Sequence, residues 1–198
     1  MQRRIATRES RIASYVITDG RGLKMAVEPK SGEDLKVIVV FVASGEQRYE
    51  IDLTALHTEP VTGSDLLIRG VVFDQAAVTF KGLIDIKKGA KQAKAFLRAD
   101  ALLLGDKAHA DLIPSLTIKE NEVRAGHGAT VGRVNDEQLF YLMSRGLSRE
   151  LAIQLLVQGF FSAILSELPQ KSKVRVERAL EQTYAQHTRR LSYLPAAP

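Results

Sequence analysis

The sequence predicts a mainly-β chain closed by a small helical subdomain, and three observations predict it. Between about Tyr15 and Val131 apolar residues recur largely at every second position, the period of a strand with one face buried. Glycine-containing breaks around Gly20 and Gly22, Gly45, Gly63, Gly89 and Gly105 cut that series into short pieces. Past Val134 the apolar spacing lengthens to that of an α-helix. The expected boundary lies between residues 1–134 and residues 135–198.

Within the first part, Arg48–Leu53 sets Tyr49, Ile51 and Leu53 on one face and Arg48, Glu50 and Asp52 on the other. Val78–Ile86 repeats this with Val78, Phe80, Gly82, Ile84 and Ile86 on one side. Lys36–Val42 is instead a continuous apolar run, which predicts a strand covered on both faces. A sandwich and a solenoid both produce short strands at such spacing, and no clean repeat selects between them.

The second part predicts three helices. Asn135, followed by Asp136, Glu137 and Gln138, reads as an N-cap with a capping-box partner, and this helix should run to Arg145 and stop at Gly146. Ser148 caps a second helix through Leu168, apolar almost all round: Leu151, Ala152, Leu155, Leu156, Phe160, Ala163 and Ile164 form one face, while Ile153, Val157, Phe161, Leu165 and Leu168 extend it. Pro169 separates it from a polar third helix, Lys171 to about Arg190, with a thin stripe of Val174, Val176, Leu180 and Tyr184. A helix with two apolar faces needs two covers: the end of the β part, and either the third helix or a partner protein.

The chemical inventory is sparse. With no cysteine among 198 residues, disulfides, thiolate ligands and cysteine nucleophiles are excluded, which fits a reducing compartment such as the cytoplasm. The net charge of +5 is concentrated at the two ends, but no aromatics are interleaved among Arg3, Arg4, Arg8 and Arg11, so no nucleic-acid partner is expected. The amino terminus lacks the apolar core of a signal peptide and no apolar run is long enough for a membrane span. No HExxH pair, P-loop or GxSxG elbow occurs, so the chain is not expected to be an enzyme. Glu120 and Glu122 share one side of an expected strand. Of the four histidines, His57 is expected in a solvated loop, His109 on polar surface between Asp106 and Asp111, and His187 on the face of the last helix. His127 differs: set between Gly126 and Gly128, it joins a titratable side chain to backbone that another chain can approach closely, though capping a turn would also account for it.

Four ordered elements resemble the SufB/SufD family of iron–sulfur cluster assembly proteins. Phe80–Ala90 is similar to the family's FxGxIxVxxGA segment, Leu102–Ala108 to its LLLSxxA element and Pro114–Ile118 to its PxLEI element. Glu122 and Val123 then lead into the fourth, the HGATVG block at His127, which continues into the LFYLxSRG helix ending at Gly146. Together they cover residues 78–168, whereas residues 1–77 match only in β character.

The resemblance implies a right-handed parallel β-helix followed by a small C-terminal α-helical subdomain that docks onto a SufC-type ABC ATPase. It implies a non-catalytic subunit that dimerises through its β-helix, with a SufB-type chain or a copy of itself. The residues expected to face partners are Phe140, Tyr141, Arg145, Leu156, Phe160, Phe161 and Ile164. His127 takes the place of the motif histidine implicated at the subunit interface, and so of a metal or cluster ligand. SufB-type members carry a cysteine in the strand that reads Arg98-Ala99-Asp100 here and a glutamate where Gly128 stands, and family members often carry a cysteine just before the histidine, where Ala125 and Gly126 stand. Their absence implies a SufD-like subunit, or a reduced SufB/SufD relative, that holds no cofactor of its own and whose role toward a transient cluster is either shared with a partner subunit or limited to a histidine and carboxylates. The chain is short for the family and would lack its amino-terminal helical extension. The competing expectation is a β-helix enzyme or carbohydrate-binding solenoid using Asp100, Asp106 and Asp111.

Overall fold

The computed structural model describes residues 9–18 and 22–191, with side chains over 11–18 and 22–185; the basic side chains before residue 11 and His187 fall outside these. Strands β1 (Glu9–Ile17), β2 (Leu23–Val27), β3 (Glu33–Ala43), β4 (Arg48–His57), β5 (Gly63–Val72), β6 (Ala77–Ile86), β7 (Lys94–Leu103), β8 (His109–Ile118) and β9 (Arg124–Arg133) precede helices α1 (Asp136–Ser144), α2 (Arg149–Leu165) and α3 (Gln170–Leu191). Odd-numbered strands form one parallel sheet, β1-β3-β5-β7-β9, and even-numbered strands a second, β2-β4-β6-β8. Successive strands therefore alternate between sheets, and the chain winds as the parallel β-helix that the resemblance implies.

The register shows why no repeat is visible in the sequence. Asp34 pairs with Gly63, Gly63 with Lys94 and Lys94 with Arg124, steps of about 30 residues that are not equal. Only the alternation of faces is conserved from rung to rung. Residues 37, 39 and 41 of β3 point inward to meet Tyr49, Ile51 and Leu53 of β4 and Val78 and Phe80 of β6 in the interior. Where the interior is tightest, glycine replaces a side chain: a Cβ on Gly70 would lie 2.2 Å from the Phe41 ring, and one on Gly82 2.5 Å from Leu97.

His57 corrects the expectation of a solvated loop. It ends β4 on the inward face and is fully buried, with Nδ1 2.8 Å from the Thr62 hydroxyl and Nε2 2.9 Å from that of Ser64. Thr62 donates its proton to the Glu59 carbonyl, so it accepts from Nδ1–H, and Ser64 donates to Nε2. The neutral ring is thereby satisfied at both nitrogens, and burial lowers its pKa to about 4. Glu120 and Glu122 are likewise corrected: both lie in the turn between β8 and β9, where Glu120 accepts from the Gly89 amide and Glu122 pairs with Lys91.

A second core lies outside the five-stranded sheet. Ile38, Val40 and Val42, the outward half of β3's apolar run, pack with Val71 and Phe73 against Val157, Phe161, Ile164 and Leu168 from α2 and its end, and against Val176 and Leu180 of α3. This is the double cover that the continuous run predicts. Polar ties reinforce it: Ser14 bonds Ser172, Arg175 donates to the Val16 carbonyl, and Lys36 of β3 reaches Glu167 and Asp65. The caps are as expected, with Asn135 accepting from the Gln138 amide, Ser148 from that of Leu151, and Gly146 ending α1 at φ 93°.

Candidate functional site

Two surfaces carry the expected residues. The first is the last rung of the coil. No further strand pairs with β8 or β9 among the described residues, so each presents a free backbone edge. Residues paired across parallel strands share a face, and His127 pairs with Leu97, an interior residue. The imidazole therefore belongs to the inward face at the open end of the coil and is exposed because no rung follows it. Ile118 and Val131 are exposed at the same end.

Gly126 and Gly128, its sequence neighbours, belong to the opposite, outward face, in register with Phe96 and Arg98. With no side chain on either, they floor a groove of about 510 Å³ walled by Asp65, Leu67, Phe96, Arg98 and Thr130, with His127 along its border. Beside it, Asp100 is 5% exposed and held from two sides: Arg69 Nη2 lies 2.7 Å from its carboxylate and Arg98 Nε 3.0 Å. Burial alone would raise its pKa, but the bonds from Arg98 and Arg69 outweigh that and hold it below the ordinary carboxylate value. Arg69 also donates to the Phe160 carbonyl at 3.0 Å and stacks over the Phe160 ring at 5.1 Å, fastening α2 to the coil.

Asp100 is thus a neutralised structural carboxylate. It faces outward from one sheet while Asp111, 3.2 Å from His109, faces outward from the other, so these two acids of the enzyme or carbohydrate alternative lie on different faces, and Asp106 is in the turn between β7 and β8. Among the described residues no three His, Asp or Glu side chains are grouped as metal ligands.

The second surface is the α1–α2 hairpin. Phe140 is 74% exposed and Tyr141 56%, the latter beneath the Arg145 guanidinium at 5.2 Å. Leu156 and Phe160 are half-buried. Phe161 and Ile164, expected to face a partner, are 0% and 3% exposed inside the second core. The helical period explains the division: positions 157, 161, 164 and 168 form one stripe that the chain's own sheet covers. Leu151 and Leu155, one turn apart on α2, and Met143 of α1 are exposed and join Phe140 and Tyr141 as the open apolar set. Spacing did not single out that i, i+4 pair, because α2 is apolar almost all round and only the sheet beneath it marks which stripe is covered. The Arg69–Asp100–Arg98 network was not, because nothing in spacing alone brings positions 69, 98, 100 and 160 together. Among the described residues no helix is long and apolar enough to cross a membrane.

Comparison with known proteins agrees with this architecture. Residues 2–160 match the family model for the SUF system FeS cluster assembly SufBD core domain. Over 136 residues, 69% of this chain and 31% of the relative, it is 40% identical to the iron–sulfur cluster assembly protein SufD of Bacillus subtilis. Against SufB of the same organism it is 30% identical over 142 residues, 72% of this chain and 30% of that protein. An iron–sulfur cluster assembly SufBD family protein of Mycobacterium tuberculosis is 33% identical over 173 residues, 87% of this chain but 20% of the relative. The chain therefore spans a third or less of these relatives. The matched core takes in the whole coil, the motif histidine and most of the hairpin, and the chain belongs to the SufB/SufD family of iron–sulfur cluster assembly proteins, on its SufD-like side.

Proposed function

We propose that this chain is a non-catalytic subunit of an iron–sulfur cluster assembly complex, binding a SufC-type ABC ATPase through the α1–α2 hairpin and dimerising through the open rung of β8 and β9. The observation that carries the reading is the hairpin's open apolar set. Phe140, Tyr141, Met143, Leu151 and Leu155 stay exposed although α2 already buries a full stripe in its own sheet. Such a surface suits a protein partner, since an aromatic pair flanked by aliphatics is the composition of an interface centre.

The nascent cluster is cargo in this scheme. With no thiolate to offer, the chain contributes at most the His127 imidazole to a cluster shared across the open rung, with sulfur ligands from the other subunit. The scheme needs neither membrane nor nucleic acid and operates in the cytoplasm, where thiols stay reduced.

The test is co-purification with a SufC-type ATPase. The Phe140→Asp/Tyr141→Asp double variant should lose at least about thirtyfold in affinity at unchanged melting temperature, because each residue is a centre-of-interface anchor that the fold does not use. Full retention of binding would remove the docking assignment. In the reconstituted complex, His127→Ala should slow cluster formation with ATPase binding intact; an unaffected rate would leave the histidine a structural residue only.

A further inference from the structure

Gly159 stands in the interior of the 17-residue α2, where a glycine weakens a helix relative to alanine. Nothing in the fold asks for it. A Cβ there would meet nothing within 4 Å, and its φ is not in the left-handed region, so neither packing nor backbone in this chain requires glycine. The residue borders a cavity of about 370 Å³ between α2, the start of α1 and the ends of β7 and β9.

The apolar wall of that cavity is Leu102, Val134, Leu155, Leu156 and Phe160. Phe160 is kept on the wall by the Arg69 guanidinium, 5.1 Å from its ring, and by Phe161, edge-on at 5.4 Å. The polar atoms beside it are engaged already. Arg133, the one charged residue of the lining among the described residues, donates to the Gly105 and Asp106 carbonyls at 3.0 and 3.3 Å, and Asn135 Oδ1 accepts from the Gln138 amide at 2.9 Å. Small-molecule sites carry a few convergent polar groups that orient the ligand. Here the cation and the capping oxygen are spent within the fold, which leaves a space complementary to an uncharged, apolar group. Its volume is at the low end for ligand pockets and suits one large side chain with the backbone that bears it. The missing side chain at position 159 is what lets a second backbone approach so closely.

Leu155 indicates where that side chain comes from. It lines the cavity and is also 47% exposed, one turn from Leu151 in the open apolar set of the hairpin, so the cavity opens onto the face offered to the ATPase. We propose that Gly159 is a specificity-determining residue of the hairpin: it keeps open a hole that receives one leucine-, methionine- or phenylalanine-sized side chain of the docked ATPase. The proposal rests on the hairpin being the docking surface and adds the hole that the docked protein fills. An apolar anchor seated in a desolvated pocket carries much of the affinity of an interface, so closing the hole should be felt in binding before it is felt in folding.

The experiment titrates a SufC-type ATPase with the intact chain and with Gly159→Ala, Gly159→Leu and the Phe140→Asp/Tyr141→Asp double variant, and records the melting temperature of each chain alone. Both Gly159 variants should melt about 2–4 °C higher than the native chain, since each gains helix propensity without a clash. Affinity should move the other way, with Gly159→Leu about tenfold or more weaker than native and Gly159→Ala between the two. A more stable chain that binds less well is the signature of a hole kept for a partner. Equal or tighter binding by Gly159→Leu overturns the role of Gly159, and so does a loss of affinity confined to variants whose melting temperature also falls, which would assign the glycine to the fold. If the double variant loses binding while Gly159→Leu keeps it, the docking surface stands and only the hole is removed. No binding by the native chain removes both.

Discussion

The outer face of the five-stranded sheet is treated in two opposite ways. Over β1, β3 and β5 it is largely apolar, carrying Val16, Ile38, Val40, Val42 and Val71 beside Lys36, Asp65 and Arg69, and α2 and α3 cover it. Over β9 it is Arg124, Gly126, Gly128, Thr130 and Gly132, of which Arg124, Gly128 and Thr130 are exposed. The backbone is the same parallel ladder in both halves. What differs is the cover: the chain's own helices lie over one half, and the other is left bare, where the proposed function seats another chain. Substitutions of similar size should therefore move stability on the covered half and association on the bare half.

The largest effect belongs to Phe161. It is wholly buried between β3, β5 and α3, stacked edge-on against Phe160 at 5.4 Å. Phe161→Ala should lower unfolding free energy by about 3–5 kcal/mol in chemical denaturation, by lost transfer energy and the cavity left behind. Phe140→Ala, on the same hairpin, should change it by less than about 0.5 kcal/mol. Equal losses from the two would erase the distinction between a covered and an open helix face.

His57 gives the next effect, and it depends on pH. Its pKa is about 4 in the folded chain against an ordinary 6.5, so the native state resists a proton that the unfolded state accepts. Stability from this group is complete above about pH 6.5, falls as pH drops through that value, and is gone below about 4, for a total of up to about 3 kcal/mol. His57→Asn, which keeps hydrogen-bonding capacity without titrating, should flatten the stability profile between pH 6.5 and 4 while lowering stability at neutral pH. A mutant profile as steep as the native one would assign the acid sensitivity to other groups.

These two residues also mark how far the sequence alone can be read. Period-two alternation and the apolar run at Lys36–Val42 were sufficient for strands and for a doubly covered β3, because both are local consequences of which neighbours bury a face. The winding of the coil was not, since unequal corners hide its period, and only the resemblance supplied it. His57 looked solvated because its loop-like neighbours, Thr58 to Pro60, say nothing of the direction in which position 57 points; the inward sequence Tyr49, Ile51, Leu53, Ala55 continues straight to it. Phe161 and Phe140 are equally apolar in sequence. Only the sheet beneath α2 separates a core residue from a docking one.

The smallest effect has opposite signs on two glycines. At Gly82 an added methyl would collide with Leu97 and the Phe80 ring at 2.5 and 2.6 Å, so Gly82→Ala should cost about 1–3 kcal/mol through overpacking. At Gly128 the methyl meets nothing and the backbone conformation is ordinary, so Gly128→Ala should instead stabilise the isolated chain by about 0.4–1 kcal/mol, chiefly by restricting the unfolded state. Paired melting curves of the two variants read this directly. A glycine that could be improved for stability, in the strand beside the motif histidine, is a position whose requirement comes from outside the chain. Should Gly128→Ala destabilise the free monomer, the need for glycine would lie within the fold, and the bare half of the sheet would lose its claim to be shaped by a partner.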